Sequence, residues 1–339
     1  MSAPGGSRTA VVTGGSGGVG RATVQALAAA GYDVGVLARG QAGLDGAVQE
    51  VTDAGRRGLG IPTDVADAEA VRHAAERVER ELGPIDVWVN VAFCGSLAYS
   101  WDTTDEEFRR MTEVVYFGQV YGTQTALRHM RPRDRGVIIN VGSALGFRSI
   151  PLQAAYCGAK HAIVGYTESV VTELASEHSS VRLCSVQLPG LNTTQFNWNL
   201  NKMAGHGMPV PPIFQPELAA RAIVHLAQHP RRNMWVGFST AYTILGERLA
   251  PKLLDLYLGR TGVKAQQTEA ELPTWGSNLF EPRDADVDRG ARGGFDDQAH
   301  ARDPWLWTTL HRIPLAGTAL GTAAVVLSGL AARRASRST

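Results

Sequence analysis

The chain has 339 residues, of which 44% are hydrophobic and 19% are charged, so it can form one core of roughly 250 residues and an appendage. Its formal net charge of +1 argues against a nucleic-acid or other polyanionic partner. Three scattered cysteines, Cys94, Cys157 and Cys184, indicate a reducing compartment and give neither a disulfide pattern nor a metal site. The first residues lack the apolar run of a signal peptide, so we expect a cytoplasmic protein.

The first predicted element is an apolar strand at 9–13, and the glycine-rich turn GGSGGVG of residues 14–20 follows at once, before an amphipathic helix. A strand, a glycine turn and a helix N-terminus in this order form a pyrophosphate site, because backbone N–H groups and the helix dipole point at the anion. Glycine is needed where the backbone approaches the phosphates closely. The turn therefore predicts a dinucleotide site with contacts from Gly14, Ser16, Gly18, Val19 and Gly20.

The second predicted strand, 32–38, ends at Ala38-Arg39. An Asp or Glu at this position would bind the ribose hydroxyls of NAD(H), whereas an arginine can pair with a 2′-phosphate. Arg39 therefore favours NADP(H), and NAD(H) stays possible. The alternative is that Arg39 is a solvated loop cation.

Strands and helices continue to alternate, with predicted elements at 41–54, 58–62, 68–82 and 86–90. This alternation predicts an α/β fold with a doubly wound parallel sheet, a Rossmann fold. Ligands of such sheets bind at the carboxyl ends of the strands. Five candidate residues fall at these ends: Gly14, Arg39, Asp64, Asn90 and Ser143.

A capping box at 104–107 predicts the start of a long helix. A mostly apolar stripe of Phe108, Met111, Val115 and Gln119 runs along it. The stripe fits either the core or a subunit interface.

The most informative stretch is 137–165, where an apolar strand ends at Gly142-Ser143 and a helix carries Tyr156 and Lys160. Residues four apart share one helix face. An ammonium beside a phenol lowers a pKa that is roughly 10 when unperturbed, so the phenol can exchange a proton with a carbonyl or an alcohol. Ser143 could hydrogen-bond the same reacting oxygen. The alternative is that all three residues are structural.

Taken together, these motifs resemble the short-chain dehydrogenase/reductase family over about residues 8–240. They are the TGxxxGxG run from Thr13 to Gly20, Asp64-Val65, Asn90, Ser143 and the YxxxK motif of Tyr156 and Lys160. The resemblance implies that Tyr156 is the general acid/base, that Lys160 holds the nicotinamide ribose and that Ser143 orients the substrate carbonyl.

The resemblance also implies the remaining cofactor contacts. Asp64 and Val65 would contact the adenine, and Asn90 would belong to the cofactor site. The loop of Pro189, Gly190 and Thr193 would hold the nicotinamide carboxamide.

Three departures from the family pattern stand out. The usual Asn-Asn-Ala-Gly is here Asn90-Val91-Ala92-Phe93, and Val115 takes the place of a helix asparagine that completes a proton relay. Valine has no side-chain hydrogen bond to offer, although its backbone carbonyl could still serve. A basic residue usual before Gly18 is absent, so the NADP(H) prediction depends mainly on Arg39.

The segment 192–216 lies where this family covers its substrate. It is rich in aromatic and apolar residues, which favours a mobile lid over an apolar or aromatic carbonyl or alcohol. The alternative is that these residues pack the loop itself. They are Phe196, Trp198, Met203, Met208, Ile213 and Phe214.

A helix at 216–228 and a strand at 234–237 complete the sheet, and a helix at 242–258 is interrupted by Pro251. Residues 264–304 indicate a linker or a surface wrap. The predicted domains are a flexible N-terminus at 1–7, a catalytic domain at 8–241, an extension at 242–312 and an apolar tail at 313–339.

Residues 315–332 carry no charge and would form a helix of about 27 Å, close to the roughly 30 Å of a bilayer core. Membrane contact through this tail is therefore possible. The arginines that follow it oppose the positive-inside tendency, so a soluble or disordered tail is the alternative.

These observations predict an NADP(H)-dependent oxidoreductase that acts on a small, apolar carbonyl or alcohol and uses no metal. By resemblance, it is a homo-oligomer, either a dimer or a tetramer. Two alternatives are a non-catalytic NADP(H)-binding sensor and a membrane-tethered scaffold.

Overall fold

The computed structural model describes residues 8–311, in which strands and helices alternate as the sequence predicts. The strands are β1 Arg8–Thr13, β2 Tyr32–Ala38, β3 Gly58–Pro62, β4 Ile85–Asn90, β5 Ser96–Leu97, β6 Val137–Ser143, β7 Arg182–Leu188, β8 Leu200–Asn201, β9 His206–Gly207, β10 Ile213–Phe214, β11 Asn233–Trp235, β12 Gln267–Thr268 and β13 Ala299–His300. The helices are α1 Gly18–Ala29, α2 Gln41–Asp53, α3 Ala68–Glu81, α4 Asp105–Thr112, α5 Gly118–Met130, α6 Ala154–Ser176, α7 Gln195–Trp198, α8 Pro216–Gln228, α9 Phe238–Leu249, α10 Pro251–Thr261 and α11 Pro304–Leu310.

Seven strands form the central sheet in the order β11-β7-β6-β4-β1-β2-β3, and all of them run parallel. The strand order reverses between β1 and β4, where Thr13 is in register with both Leu37 and Asn90. Such a reversal opens a crevice at the carboxyl ends of the strands. The predicted α/β fold with a doubly wound parallel sheet is confirmed.

The sheet is buried on both faces, which explains the apolar strands. Helices α1, α2 and α8 contribute to the core on one face, and α3, α5 and α6 contribute to the core on the other. A fully buried Leu, Ile or Val contributes about 1.5–3 kcal/mol relative to an exposed one, so these two layers hold the crevice rigidly.

The predicted long helix consists of α4, a π-helical turn at Glu113–Phe117 and α5. Its start is capped as expected, since the Glu107 amide donates to the Thr104 hydroxyl and the Glu107 carboxylate accepts from the Thr104 amide. The stripe lies in the core: Met111, Val115 and Gln119 are at most 2% exposed, although Phe108 is exposed.

Beyond the sheet, the predicted single helix is two helices, α9 and α10, separated at Ala250-Pro251 because proline cannot continue the backbone hydrogen-bond pattern. Residues 264–304 then run back across the molecule, with β12 paired to β9 and β13 to β10. Leu279 and Leu306 are each 1% exposed and belong to opposite core layers. Of the two predicted alternatives, a linker or a surface wrap, this segment therefore fits the surface wrap.

One part of the wrap, which we call the strap (residues 276–290), lies against α2. Gly40, Gly43 and Gly46 leave room for it, because a Cβ on any of them would come within 2.4 Å of a strap carboxylate oxygen. Asp288 accepts two hydrogen bonds from Arg21, whose side chain is 2% exposed. Arg21 also donates to Glu50, so it joins α1, α2 and the strap.

Within residues 8–311, every helix is too short or too polar to cross a bilayer. The predicted flexible N-terminus at 1–7 and the predicted membrane-contacting segment at 315–332 lie outside the described residues.

The strap anchor generates a stability prediction. We expect Asp288→Ala to lower the free energy of unfolding by about 1–3 kcal/mol, because the buried Arg21 guanidinium loses two charge-assisted acceptors. Urea unfolding monitored by circular dichroism measures this loss. Asp286→Ala is the matched control, since Asp286 is exposed on the same strap, and its effect should stay within about 0.5 kcal/mol. Equal unfolding midpoints for the two variants would contradict the anchor.

Candidate active site

A cavity of about 410 Å³ lies at the carboxyl ends of the strands and extends from the glycine turn to Tyr156. Most of the predicted site residues line it. They are Gly14, Ser16, Gly18, Val19, Gly20, Arg39, Asp64, Val65, Ser143, Tyr156, Lys160, Pro189, Gly190 and Thr193.

The glycine turn is shaped by close backbone approaches. Gly14 and Gly18 have φ angles of 68° and 53°, and a Cβ on Gly20 would lie 2.0 Å from the carbonyl oxygen of Gly14. Larger residues are excluded at these positions, as a phosphate cradle requires. One amide of the turn is engaged by the strap, because Gly18 N–H donates to the carbonyl of Gly290 over 3.2 Å.

Asp64 and Val65 lie at the end of the cavity where the family resemblance would place the adenosine, which we call the adenosine end. Burial alone would raise the pKa of Asp64, but hydrogen bonds from Arg110, at 2.5 Å, and from the Ala66 amide hold that pKa below its ordinary value. The Asp64 carboxylate is therefore ionised and fixed in position. The Val65 side chain beside it offers an apolar contact.

Arg39 lines the same end, but its environment differs from the one expected for a phosphate-binding arginine. Its guanidinium donates to the backbone carbonyls of Asn278, Leu279 and Phe280, all in the strap. Burial lowers the pKa of Arg39. A 2′-phosphate would have to compete with these three carbonyls for the same N–H groups.

At the inner end of the cavity, Ser143, Tyr156 and Lys160 come together because β6 and α6 are adjacent. The Ser143 hydroxyl accepts from the Leu145 amide over 3.1 Å and also hydrogen-bonds Tyr156. Lys160 is 4% exposed and donates to the Val141 carbonyl over 2.6 Å.

The electrostatics of this group differ from the expectation that Lys160 would make Tyr156 acidic. Burial raises the pKa of the Tyr156 phenol, and the hydrogen bond with Ser143 offsets only part of that effect. Burial also lowers the pKa of Lys160 to about 7. The Lys160 nitrogen lies 5.5 Å from the Tyr156 ring centre and points to Val141, so in the protein alone desolvation outweighs the cation.

Asn90, which was expected among the cofactor contacts, lies below the cavity. Its amide nitrogen donates to the Asn140 and Thr123 side chains at 2.9 Å and 3.1 Å, and its oxygen accepts from Trp88. Side chains alternate across a strand, and this one points into the helix layer instead of the cleft. We therefore assign it to a buried network joining β4, β6 and α5.

The departures from the family pattern also have defined positions. Val115 is fully buried in the core, while its neighbour Val114 lines the cavity. Phe93 packs edge-on against Tyr156 with ring centres 5.2 Å apart. The aromatic residue that replaces the usual glycine thus shields the phenol.

The loop after β7 carries the predicted Pro189, Gly190 and Thr193. The hydroxyls of Thr193 and Thr194 are buried and have no hydrogen-bond partner among residues 8–311. Buried polar groups normally find partners. Both threonines line the cavity, so two unused hydroxyls next to it fit a polar ligand such as the carboxamide of a nicotinamide.

The predicted lid at 192–216 is tied down by the pairings of β8, β9 and β10. Ile213 and Phe214 pack in the core, whereas Phe196, Trp198 and Met208 line the cavity. Part of the segment thus follows the alternative in which its residues pack the loop.

Sequence reasoning missed two contributions from the extension. Helices α9 and α10 add an apolar wall, with Tyr242, Leu254, Tyr257 and Leu258. The strap adds a polar wall at the adenosine end, with Asn278, Arg283 and Asp284. The glycine spacing at 40, 43 and 46 was a signal for the strap, because three glycines on one helix face invite close packing.

Known proteins resemble this chain in sequence and in fold. The family model for short chain dehydrogenases matches residues 8–205. The uncharacterized oxidoreductase YxnA of Bacillus subtilis (strain 168) is 32% identical over 291 residues, covering 84% of this chain and 81% of the relative. Carbonyl reductase family member 4 of Danio rerio is 29% identical over 225 residues, covering 66% and 92%.

Among solved structures, a short-chain dehydrogenase from Streptomyces avermitilis has a TM-score of 0.63 at 26% identity, covering 76% of this chain and 98% of the other. An alcohol dehydrogenase from Thermococcus sibiricus, in complex with 5-hydroxy-NADP, has a TM-score of 0.57 at 25% identity, covering 68% and 94%. With a family match over more than half its length and relatives that share its fold, this chain belongs to the short-chain dehydrogenase family of NAD(P)-dependent oxidoreductases.

Proposed function

We propose that this enzyme interconverts a carbonyl and an alcohol on an apolar substrate, with Tyr156 as the general acid/base. The observation that carries the proposal is the group of Ser143, Tyr156 and Lys160 at the inner end of a cavity that begins at a glycine turn. A bound nicotinamide dinucleotide supplies or accepts the hydride.

The residues of this chain would divide the remaining work. The glycine turn would hold the pyrophosphate, and Thr193 would hold the carboxamide. Because burial raises its pKa, the Tyr156 phenol is protonated at neutral pH and can donate its proton to a carbonyl oxygen as negative charge develops there. Ser143 would donate a hydrogen bond to the same oxygen and stabilise that charge.

The charge state of Lys160 would depend on cofactor binding. With a pKa of about 7, its amine can be charged or neutral near physiological pH. A ribose hydroxyl next to it would provide the acceptor that the ammonium lacks beyond Val141. Cofactor binding would thus favour the charged form of Lys160. The positive charge would in turn lower the pKa of the Tyr156 phenol.

The substrate class follows from the walls. Leu145, Ile150 and Met208 face the inner cavity, together with the apolar residues of α9 and α10. Such a lining favours an alkyl or aryl ketone, aldehyde or alcohol over a sugar phosphate. The relative named carbonyl reductase family member 4 agrees with a carbonyl substrate.

The sequence favours NADP(H) because of Arg39, and the alcohol dehydrogenase from Thermococcus sibiricus binds an NADP derivative. In this chain three of the five N–H groups of Arg39 donate to strap carbonyls. The proposed reaction therefore does not depend on NADP(H), and NAD(H) fits the contacts of Arg39 better.

The non-catalytic sensor remains the second candidate, because Val91, Phe93 and Val115 depart from the family pattern. Tight dinucleotide binding without turnover on any ketone, aldehyde or alcohol would favour it. The membrane-tethered scaffold, the homo-oligomer and the cytoplasmic location stay predictions. Three buried free thiols, Cys94, Cys157 and Cys184, agree with a reducing compartment.

The catalytic assignment predicts that Tyr156→Phe lowers kcat/KM by about 10²–10⁴-fold, since the proton donor is lost while the ring keeps its packing against Phe93. Steady-state reduction of a panel of aryl and alkyl ketones and aldehydes measures this change. The dissociation constant of the dinucleotide should change little. Tyr166→Phe, on the same helix but outside the cavity, should retain activity. Full turnover by Tyr156→Phe would remove the assignment.

The lowered pKa of Lys160 predicts a pH-dependent stability difference. Between about pH 7 and 10.5 the unfolded lysine carries a proton that the folded one has released, so the free energy of unfolding rises with pH in this window. Relative to wild type, Lys160→Met should therefore be most favourable below pH 7, and this advantage should shrink towards pH 10. Urea unfolding of both proteins at pH 6, 8 and 9.5 measures it. The exposed Lys252→Met should show no such trend, and a flat difference for Lys160→Met would refute the shifted pKa.

A further inference from the structure

Asp284, in the middle of the strap, has an unusual position. It is 5% exposed, and its carboxylate lies against Gly40 and Gly43 at the start of α2. A Cβ on Gly40 would come within 1.9 Å of one carboxylate oxygen, and a Cβ on Gly43 would meet both the other oxygen and Ser16. The sequence thus leaves space at two glycines for the carboxyl group of Asp284.

This carboxylate has no hydrogen bond or ion pair within residues 8–311. Asp288, four residues further along the strap, is paired with Arg21 instead. Capping of α2 does not require the Asp284 side chain, because the backbone carbonyls of Asp284 and Ala285 accept from the amides of Gly43 and Ala42. The carboxylate therefore keeps its acceptor capacity for a ligand in the cavity that it lines.

The location identifies the donors. Asp284 lines the cavity between Ser16 of the glycine turn and Arg39 at the end of β2. In doubly wound sheets the end of the second strand is where the adenosine ribose of a dinucleotide binds. The hydroxyls of that ribose are hydrogen-bond donors, and an ionised carboxylate only accepts.

We propose that Asp284 binds the hydroxyls of the adenosine ribose and thereby makes the enzyme select NAD(H) over NADP(H). The acidic residue that is absent after β2 is thus supplied by the C-terminal strap. This inference rests on the proposed function for the identity of the ligand as a nicotinamide dinucleotide.

The groups around Asp284 disfavour a 2′-phosphate at the position proposed for the ribose hydroxyls. Such a group would bring nearly two negative charges next to the Asp284 carboxylate. Few donors are free to compensate, since Arg39 directs three of its five N–H groups to carbonyls of residues 278–280 and the amides of Ala42 and Gly43 donate to the strap. Charge repulsion by Asp284 and the reduced number of donors both favour the unphosphorylated ribose.

The strap forms a wall of the site and does not fill it. The cavity is lined both by Gly14, Thr63 and Val65, which follow strands of the sheet, and by Asn278, Pro282 and Asp284 of the strap. Space for a ligand therefore remains between the strap and the sheet. An inhibitory strap would instead weaken both dinucleotides alike, and binding measurements separate the two cases.

Isothermal titration of the full chain with NAD⁺, NADP⁺, AMP and adenosine 2′,5′-bisphosphate tests the proposal. Wild type should bind NAD⁺ and AMP at least about tenfold more tightly than their 2′-phosphorylated counterparts. Asp284→Asn should reduce this preference by about tenfold or more, through weaker binding of NAD⁺ and tighter binding of NADP⁺. Asp286→Asn, on the exposed side of the strap, should keep the wild-type constants and turnover.

Three outcomes would overturn the proposal. The first is a wild-type preference for NADP⁺ or for adenosine 2′,5′-bisphosphate, which can be measured even if Asp284→Asn does not fold. The second is an Asp284→Asn preference within twofold of wild type. The third is that Asp284→Asn binds both dinucleotides more tightly than wild type by the same factor, which would indicate an inhibitory strap. The proposed catalytic function fails separately, when Tyr156→Phe keeps full turnover while the binding preference follows Asp284.

Discussion

The buried Arg21 guanidinium joins the three parts that form the adenosine end of the cavity. It donates to the carbonyl of Ser16 in the glycine turn, to the carbonyl of Gly43 and the carboxylate of Glu50 on α2, and to Asp288 of the strap. A guanidinium with five N–H donors can satisfy this many acceptors in one plane. Because Arg21 itself is 2% exposed, none of these elements can move away without leaving a buried charge short of partners. The position of Asp284 depends on this anchor.

The two ends of the cavity differ in the ionisation of their side chains. At the adenosine end, Asp64 is paired with Arg110, whereas the Asp284 carboxylate and the Arg39 guanidinium contact no opposite charge at hydrogen-bond distance. At the inner end, burial raises the pKa of Tyr156 and lowers the pKa of Lys160, so both side chains are shifted towards their neutral forms. The protein alone therefore holds an inner site that is close to uncharged, and the Thr193 hydroxyl has no partner there among residues 8–311. Catalytic residues with pKa values displaced by burial are typical of such arrangements.

The elements that sequence analysis predicted correctly are those that local patterns determine. Alternating apolar strands and amphipathic helices gave the sheet, and the glycine turn and the Tyr156–Lys160 spacing placed their residues in one cleft. The direction of the Asn90 side chain and the pKa of Tyr156 could not be predicted, because both depend on what packs around them. Arg39 shows the same limit more clearly, since its partners lie about 240 positions further along the chain. Only the spacing of Gly40, Gly43 and Gly46 indicated locally that another segment packs on α2. The structure shows that this segment is the strap, because Asp284 and Asp288 lie next to these glycines.

The extension is part of the enzyme's site as well as of its core. The family model ends at residue 205, yet the similarity to YxnA spans 291 residues, so it cannot be confined to the region of the family model. Leu279 and Leu306 are buried in opposite core layers, and the strap, which contains Leu279, supplies part of the cavity wall. Removing the extension would therefore expose both core layers and open the adenosine end together. It follows that cofactor choice in this chain cannot be inferred from the residue after β2 alone, because the charge at that place is the sum of Arg39 and a carboxylate brought in from the C-terminal strap.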